Sequence, residues 1–309
     1  MKIAIISYTS RAEGCLSGVE RFNALLQRAV GGNIYTGTMF NILNPQGLNQ
    51  RLWAEKLIDK DTLCIVDGSW GLGIPEEVPV ISIVHGTWTE FNLRNSGKWI
   101  IDKEQDMMWY RKNLKTIAVS NASAKYLEKH HAIKADKIIL NGVDVEIFKP
   151  IELIKQNLKP VIIHCARDYN KTGQGKFDKI KEILKDKFEF KLLNVSDGKE
   201  YLEYQNSDII LQCSNYEGNS YFMLEGMASG LPVVASCAGL FEDTDFGDIK
   251  VGEVLPWDAC AGTYAGMIEC VYKDRVRYNP RQWIMENASL EIWTKNWKEF
   301  LKENYDYGN

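Results

Sequence analysis

The sequence predicts an α/β protein built from two doubly wound parallel-sheet domains, and three observations predict it. Continuous apolar runs of strand length recur along the chain, they end in polar or glycine-bearing loops, and helical segments separate them. The alternation runs through the first half, breaks at a turn-rich linker and starts again. Length agrees, because 309 residues with 45% hydrophobic content supply two modest cores when a domain holds roughly 100–200 residues.

Lys2-Ile-Ala-Ile-Ile-Ser7 reads as a buried strand that enters the turn Gly14-Cys-Leu-Ser-Gly18. A helix follows over residues 20–30, with Phe22, Leu25, Leu26 and Ala29 on one face and Gly31-Gly32 ending it. Further strands are expected at 62–66, 80–84 and 116–119, each leading into a polar loop: Asp67-Gly-Ser, His85-Gly-Thr and Ser120-Asn-Ala-Ser. Ser120 or Asn121 caps a helix over 122–129, and a short strand follows over 137–140. Asn141-Gly-Val-Asp-Val-Glu-Ile-Phe-Lys-Pro150 is a turn and linker, so the first domain is expected to span 1–148 and the second 149–288. The second domain repeats the rhythm with strands at 160–165, 188–193, 209–213 and 231–236, and helices at 177–184, 201–205 and 221–229. The tail, 289–309, places Leu290, Trp293, Trp297, Phe300 and Leu301 at helical spacing, as an amphipathic helix that needs a surface to bury against.

Composition narrows the function. With 37 Lys+Arg against 41 Asp+Glu and a net charge of -4, the chain offers no general attraction to a nucleic-acid backbone. Seven cysteines without a CxxC pair are read as reduced core thiols. The amino-terminal apolar run is too short for a signal peptide, and no run approaches about 18 apolar residues, so a cytoplasmic location is expected. Residues 98–115 interleave Trp99, Ile100, Met107, Met108, Trp109 and Tyr110 with lysines and arginines, which raises peripheral contact with a membrane surface as a further expectation. Asp102, Glu104 and Asp106 in the same stretch favour an ordinary core helix with a mixed charged face. His164 falls inside a strand and is read as a core residue, whereas His130-His131 ends a helix and is read as exposed.

Chemistry concentrates at Ser214-Asn-Tyr-Glu217-Gly-Asn-Ser-Tyr-Phe-Met-Leu-Glu225-Gly-Met-Ala-Ser-Gly-Leu-Pro-Val-Val-Ala-Ser236. Two glutamates separated by seven residues straddle the join of a loop and a helix. The small polar turn Gly218-Asn219-Ser220 leaves the helix's first N–H groups and its positive dipole end available to a phosphate. This segment resembles the E-x7-E motif of retaining GT-B glycosyltransferases, in particular family 4. Asn141-Gly-Val-Asp144 with Phe148 and Pro150 resembles that family's interdomain stretch. Cys165-Ala-Arg167 with Lys171-Thr-Gly173 resembles its diphosphate-binding G-R…K-G loop, and Gly18-Val-Glu20-Arg21 its amino-terminal glycine loop.

The resemblance implies two Rossmann-like domains facing a cleft, with the C-terminal helix crossing back to the first domain. It implies transfer of a hexose from a nucleotide-diphosphate sugar, with UDP-glucose as the default donor, and retention through a same-face displacement. Arg167 and Lys171 would neutralise the leaving diphosphate, Glu225 would take the ribose hydroxyls, Glu217 would lie near the sugar, and His85 would bind a sugar hydroxyl. Gly18, Gly218, Asn219, Ser220, Tyr221, Phe222 and Met223 complete the expected donor contacts, with residues 194–199 as the base-contact loop. The acceptor stays open among a glycan, a lipid, a protein and a modified base in DNA, and a catalytically silent nucleotide- or partner-binding module is the alternative to an enzyme. Ala166 and Ser220 replace glycines of the family pattern, and Lys171 comes one residue early. Asp243-Thr-Asp245 fits a metal-binding D-x-D pattern, but it lies in an acidic loop after the E-x7-E helix and its strand. It is read as solvated, and no metal or other cofactor is expected.

Overall fold

The computed structural model describes residues 1–9, 18–38, 45–94, 111–151, 159–165, 174–193 and 199–308. The chain divides into two compact units, Met1–Asn141 with Trp293–Asn309, and Gly142–Ile292. In the first unit, six strands form one parallel sheet in the order β2-β1-β3-β4-β5-β6: β1 (Lys2–Thr9), β2 (Asn33–Thr38), β3 (Thr62–Asp67), β4 (Val80–Val84), β5 (Leu114–Ala118) and β6 (Lys137–Ile138). Every residue of β3 and β4 is buried, because helices cover both faces of a parallel sheet. The helices of this unit are α1 (Gly18–Val30), α2 (Pro45–Ala54), α3 (Trp88–Arg94) and α4 (Asn121–His131). Ser120 caps α4 by accepting from Ser123 N–H at 3.1 Å.

The second unit holds a five-stranded parallel sheet in the order β11-β10-β9-β7-β8, with β7 at Val161–His164, β8 at Glu189–Leu192, β9 at Ile209–Gln212, β10 at Val233–Ser236 and β11 at Gly252–Leu255. Its helices are α5 (Gln174–Leu184), α6 (Glu200–Gln205), α7 (Tyr221–Ala228), α8 (Ala261–Lys273) and α9 (Pro280–Asn287), followed by α10 (Leu290–Asn304), which leads back to the first unit. Strand order reverses between β1 and β3 in one sheet and between β7 and β9 in the other. Those two switch points, at the carboxyl ends of the strands, are where open α/β sheets take ligands.

Two features tie the chain together inside each unit. Residues 142–150 are stitched to the second unit: Val143 N–H donates to Ala288 O at 2.9 Å and Leu290 N–H to Val143 O at 2.8 Å. The Arg281 guanidinium adds bonds to the carbonyls of Phe148, Val145 and Ala228 at 2.9, 3.0 and 2.6 Å. In the first unit, Trp293, Trp297, Phe300 and Leu301 of α10 are buried. The Trp293 and Trp297 rings meet the Phe22 ring of α1 at 5.7 and 6.2 Å, and Tyr307 donates to Val30 O at 3.2 Å.

Several expectations change. Strands β2 and β11 and helices α2, α3, α8 and α9 were not anticipated, and the strand expected over 137–140 ends at Ile138. The cysteines are not uniformly core: Cys64 and Cys213 are buried, Cys165 and Cys237 half-buried, and Cys260 and Cys270 exposed. Cys15 lies outside the described residues. Trp297 has no exposed surface, so Trp297→Ala leaves a cavity in the first unit and should lower its stability by about 3–5 kcal/mol, read as an earlier urea transition.

Candidate functional site

At the end of β9 the chain leaves the sheet through Cys213 and Ser214 into the turn that carries Glu217. Ser214 Oγ donates to Glu217 Oε1 at 2.9 Å, and Ser236 Oγ, at the end of β10, donates to Ser214 O at 2.6 Å. The turn after β10 closes on the same place. Gly239 has φ +60°, and a Cβ there would lie 2.7 Å from Gly218 O and 2.8 Å from the Glu217 Cβ. Glycine is therefore required by both conformation and space, and the two turns together fix the half-buried Glu217.

Helix α7 begins at once after Ser220, whose backbone is extended and whose side chain makes no cap bond. Leu224 N–H bonds Ser220 O at 3.1 Å, so the intrahelical ladder begins there and the positive amino end of α7 lies at the turn that carries Glu217. The helix is apolar and deeply set, with Tyr221 and Met223 through Ala228 buried, Phe222 half-buried and Asn219 buried just ahead of it. Gly226 permits this depth, since a Cβ would fall 2.2 Å from Ile210 Cδ1 of β9. Glu225 is only 2% exposed, and Tyr204 of α6 donates to its Oε2 at 3.0 Å. Tyr204 is in turn flanked by the rings of Phe148 and Phe222, both at 5.8 Å. A helix amino end beside a switch point, bracketed by two carboxylates, is suited to hold a phosphate ester and polar hydroxyls.

Arg167, Lys171 and residues 194–198 lie outside the described residues, as do 10–17 of the amino-terminal glycine loop, while Gly18 starts α1. Lys176, in the first turn of α5, belongs to no motif in the sequence. Its ammonium donates to Trp257 O at 2.5 Å and lies 5.1 Å from the Tyr264 ring centroid, and burial lowers its pKa.

The first unit's switch point holds a second polar cluster, and the sequence showed only one member of it. Asp67 ends β3 and is 5% exposed. Its Oδ2 accepts from Ser7 Oγ of β1 and from Asn23 Nδ2 of α1, the latter at 3.1 Å. Its Oδ1 meets His85 Nε2, beyond the end of β4, at 3.0 Å. His85 is 27% exposed and stands edge-on to Phe22 at 5.1 Å. The signal for Asp67 was present as the one carboxylate closing an apolar run, Thr62-Leu-Cys-Ile-Val-Asp67.

Beyond His85, Thr87 leads into α3, which is anchored by Glu90. This buried carboxylate pairs with Arg94 Nε at 3.0 Å, Lys129 Nζ at 3.1 Å and His130 Nε2 at 2.7 Å. His130 is thus not exposed as expected: its side chain is 10% accessible because α4 turns it onto α3. His164 is a core residue, stacked on Phe177 at 4.3 Å with Nδ1 3.0 Å from Leu211 O, and burial pushes its pKa down to about 4. Asp243 and Asp245 are exposed, and Asp245 Oδ1 is taken by Gly247 N–H at 2.8 Å. The aromatic stretch considered for membrane contact, 99–110, lies outside the described residues, but Arg111 beside it is turned inward to the carbonyls of Ile74, Pro75 and Val78. Among the described residues no helix is long and apolar enough to cross a membrane.

No family model matches the sequence, and a search of curated proteins finds no match. Solved structures do match. A sucrose-phosphate synthase from Thermosynechococcus elongatus is similar with TM-score 0.72 and 14% identity, over 98% of this chain and 99% of that one. HepE from Anabaena in complex with UDP is similar with TM-score 0.67 and 15% identity, over 98% and 100%. The lipopolysaccharide outer core galactosyltransferase WaaB gives 0.64 and 14%, over 98% and 99%. At these identities the likeness shows the fold, which is GT-B with two doubly wound parallel-sheet domains.

Two measurements test this geometry. Gly239→Ala should destabilise by about 2 kcal/mol or more, because it adds steric conflict with backbone to an unfavourable φ. Gly247→Ala, with φ +58° and open space around its Cβ, should cost about 1 kcal/mol. For His164 the folded pKa lies below the unfolded value, so it contributes nothing to pH dependence above about 6.5 and an increasing penalty as pH falls toward 4. His164→Phe should flatten the stability profile across that window by up to about 3 kcal/mol, read by urea titrations from pH 7.5 to 4.5.

Proposed function

We propose that this chain is a retaining glycosyltransferase that moves a hexose from a nucleotide-diphosphate sugar, with UDP-glucose as the default donor, to a hydroxyl-bearing acceptor. The observation that carries the reading is the element from Glu217 to Glu225, which joins a tight polar turn to a helix amino end beside the switch point of the second sheet. The fold supports it, since proteins of like fold include HepE, whose structures are in complex with UDP and with UDP-glucose, as well as a sucrose-phosphate synthase and the galactosyltransferase WaaB.

In this reading the α7 amino end and the Arg167 and Lys171 cations meet the diphosphate. They stabilise the charge that grows on it as the anomeric C–O bond breaks. Glu225, steadied by Tyr204, takes the ribose hydroxyls, and Glu217 lies close to the sugar, where it favours positive charge on the anomeric carbon. Gly18, Gly218, Asn219, Ser220, Tyr221, Phe222 and Met223 line the donor, and His85 hydrogen-bonds a sugar hydroxyl. The acceptor attacks the face that the diphosphate leaves, and a donor phosphate oxygen takes its proton, so configuration is retained without a protein nucleophile. A diphosphate needs no protonation to depart, which removes the need for a glycosidase-like acid. Two cations and a helix dipole supply the charge that a metal would otherwise supply, so we propose that transfer is independent of metal.

Thermal unfolding in the presence of UDP, GDP, ADP, CMP and their sugars tests the reading. One diphosphate should stabilise the wild type by about 2.7 kcal/mol at a hundredfold excess over its Kd. Glu225→Ala and Arg167→Ala should abolish that gain, and EDTA should leave sugar transfer unchanged. No response to any nucleotide at millimolar concentration would place the chain among silent binding modules instead.

A further inference from the structure

The cluster at the first unit's switch point carries a hydrogen-bond direction as well as a geometry. Three groups converge on Asp67: the Ser7 hydroxyl, the Asn23 amide and a ring nitrogen of His85. An ionised carboxylate accepts only, and it satisfies all three at once when Ser7 and Asn23 donate and His85 brings an N–H. The His85 nitrogen on Asp67 is Nε2, at 3.0 Å. The proton of a neutral His85 therefore belongs on Nε2, and Nδ1 keeps its lone pair. No described residue takes Nδ1, and the side chain is the most accessible part of the cluster, 27% exposed against 5% for Asp67.

We propose that Asp67 is a positioning residue. Held by Ser7 and Asn23, it fixes His85 as the Nε2–H tautomer, so that Nδ1 serves as an acceptor for a substrate hydroxyl. The assignment rests on the sugar-transfer reading above and deepens it. An imidazole lone pair accepts from a hydroxyl, so this position reads a hydroxyl of the bound hexose. Asp67 contributes through the orientation of His85, because both of its oxygens are already engaged within the cluster.

Histidine-labelled full-length protein at pH 8 decides the question by 1H–15N NMR, with His85→Gln used to assign the resonances. The wild type should show His85 with an exchange-protected Nε2–H proton and an unprotonated Nδ1. Asp67→Asn should lose that protection or move the proton to Nδ1, and Ser7→Ala, which keeps the carboxylate, should weaken the protection by less. An Nδ1–H tautomer in the wild type, or an unchanged Nε2–H signal in Asp67→Asn, overturns the proposal. Turnover of UDP-glucose, with UDP binding followed by thermal shift, supplies the second reading. Asp67→Asn should lower kcat at least ~tenfold while UDP still stabilises the variant as it does the wild type. A shifted tautomer with unchanged turnover overturns the role assigned to Asp67. If the wild type responds to no nucleotide of the panel and consumes none of their sugars, the sugar-transfer reading fails by itself, and the NMR result still decides the His85 tautomer.

Discussion

A parallel sheet covered by helices on both faces can meet a ligand only at its strand ends, and this constraint organises both units. Strands β3 and β4 are buried at every position, so polar groups gather where these strands stop. The charges there have to be paired, because an unpartnered buried carboxylate is costly. Asp67 is met by Ser7, Asn23 and His85, and Glu225 by Tyr204. The same requirement explains Glu90, whose partners Arg94, Lys129 and His130 hold α3 just beyond His85.

What could be read in the sequence follows from how local each signal is. Strands β1, β3, β4, β7, β9 and β10 are continuous apolar runs because they lie inside their sheets, and they stand out for that reason. Strands β2 and β11, Asn33-Ile-Tyr-Thr-Gly-Thr38 and Gly252-Glu-Val-Leu255, mix their few apolar residues with Gly, Thr, Asn or Glu and form no run that can be recognised. Helix α9 did have a local signature, Asn279 as cap accepting from Gln282 N–H, with Pro280 in the first turn. Its short apolar face leaves that signature without a periodic pattern beside it. The sequence predicts an exposed His130 because a histidine at a helix end is usually solvated, and only the packing of α4 on α3 brings it to Glu90.

The candidate site divides along the same line. Glu217 and Glu225 lie eight positions apart in one turn and one helix, and a motif of that kind shows in a single stretch of sequence. The Asp67 cluster draws Ser7, Asn23 and His85 from 60, 44 and 18 positions away, and no local pattern joins them. Sheet order does: placing β1 beside β3 brings Ser7 to Asp67, and β4 beside β3 brings His85.

The linker between the two sheets shows how a motif can be conspicuous for a reason that is not chemical. Asn141 to Pro150 contributes Phe148, whose ring meets Tyr204, the residue that donates to Glu225. It also contributes carbonyls that Arg281 binds together with Ala228 O at the end of α7. Pro150 packs against Gly230, whose φ is +83° and where an added Cβ would lie 3.0 Å from the Pro150 Cγ, so a side chain there would be strained. The helix that carries Glu225 is therefore held from β9 through Gly226, from α6 through Tyr204 and from the linker through Arg281.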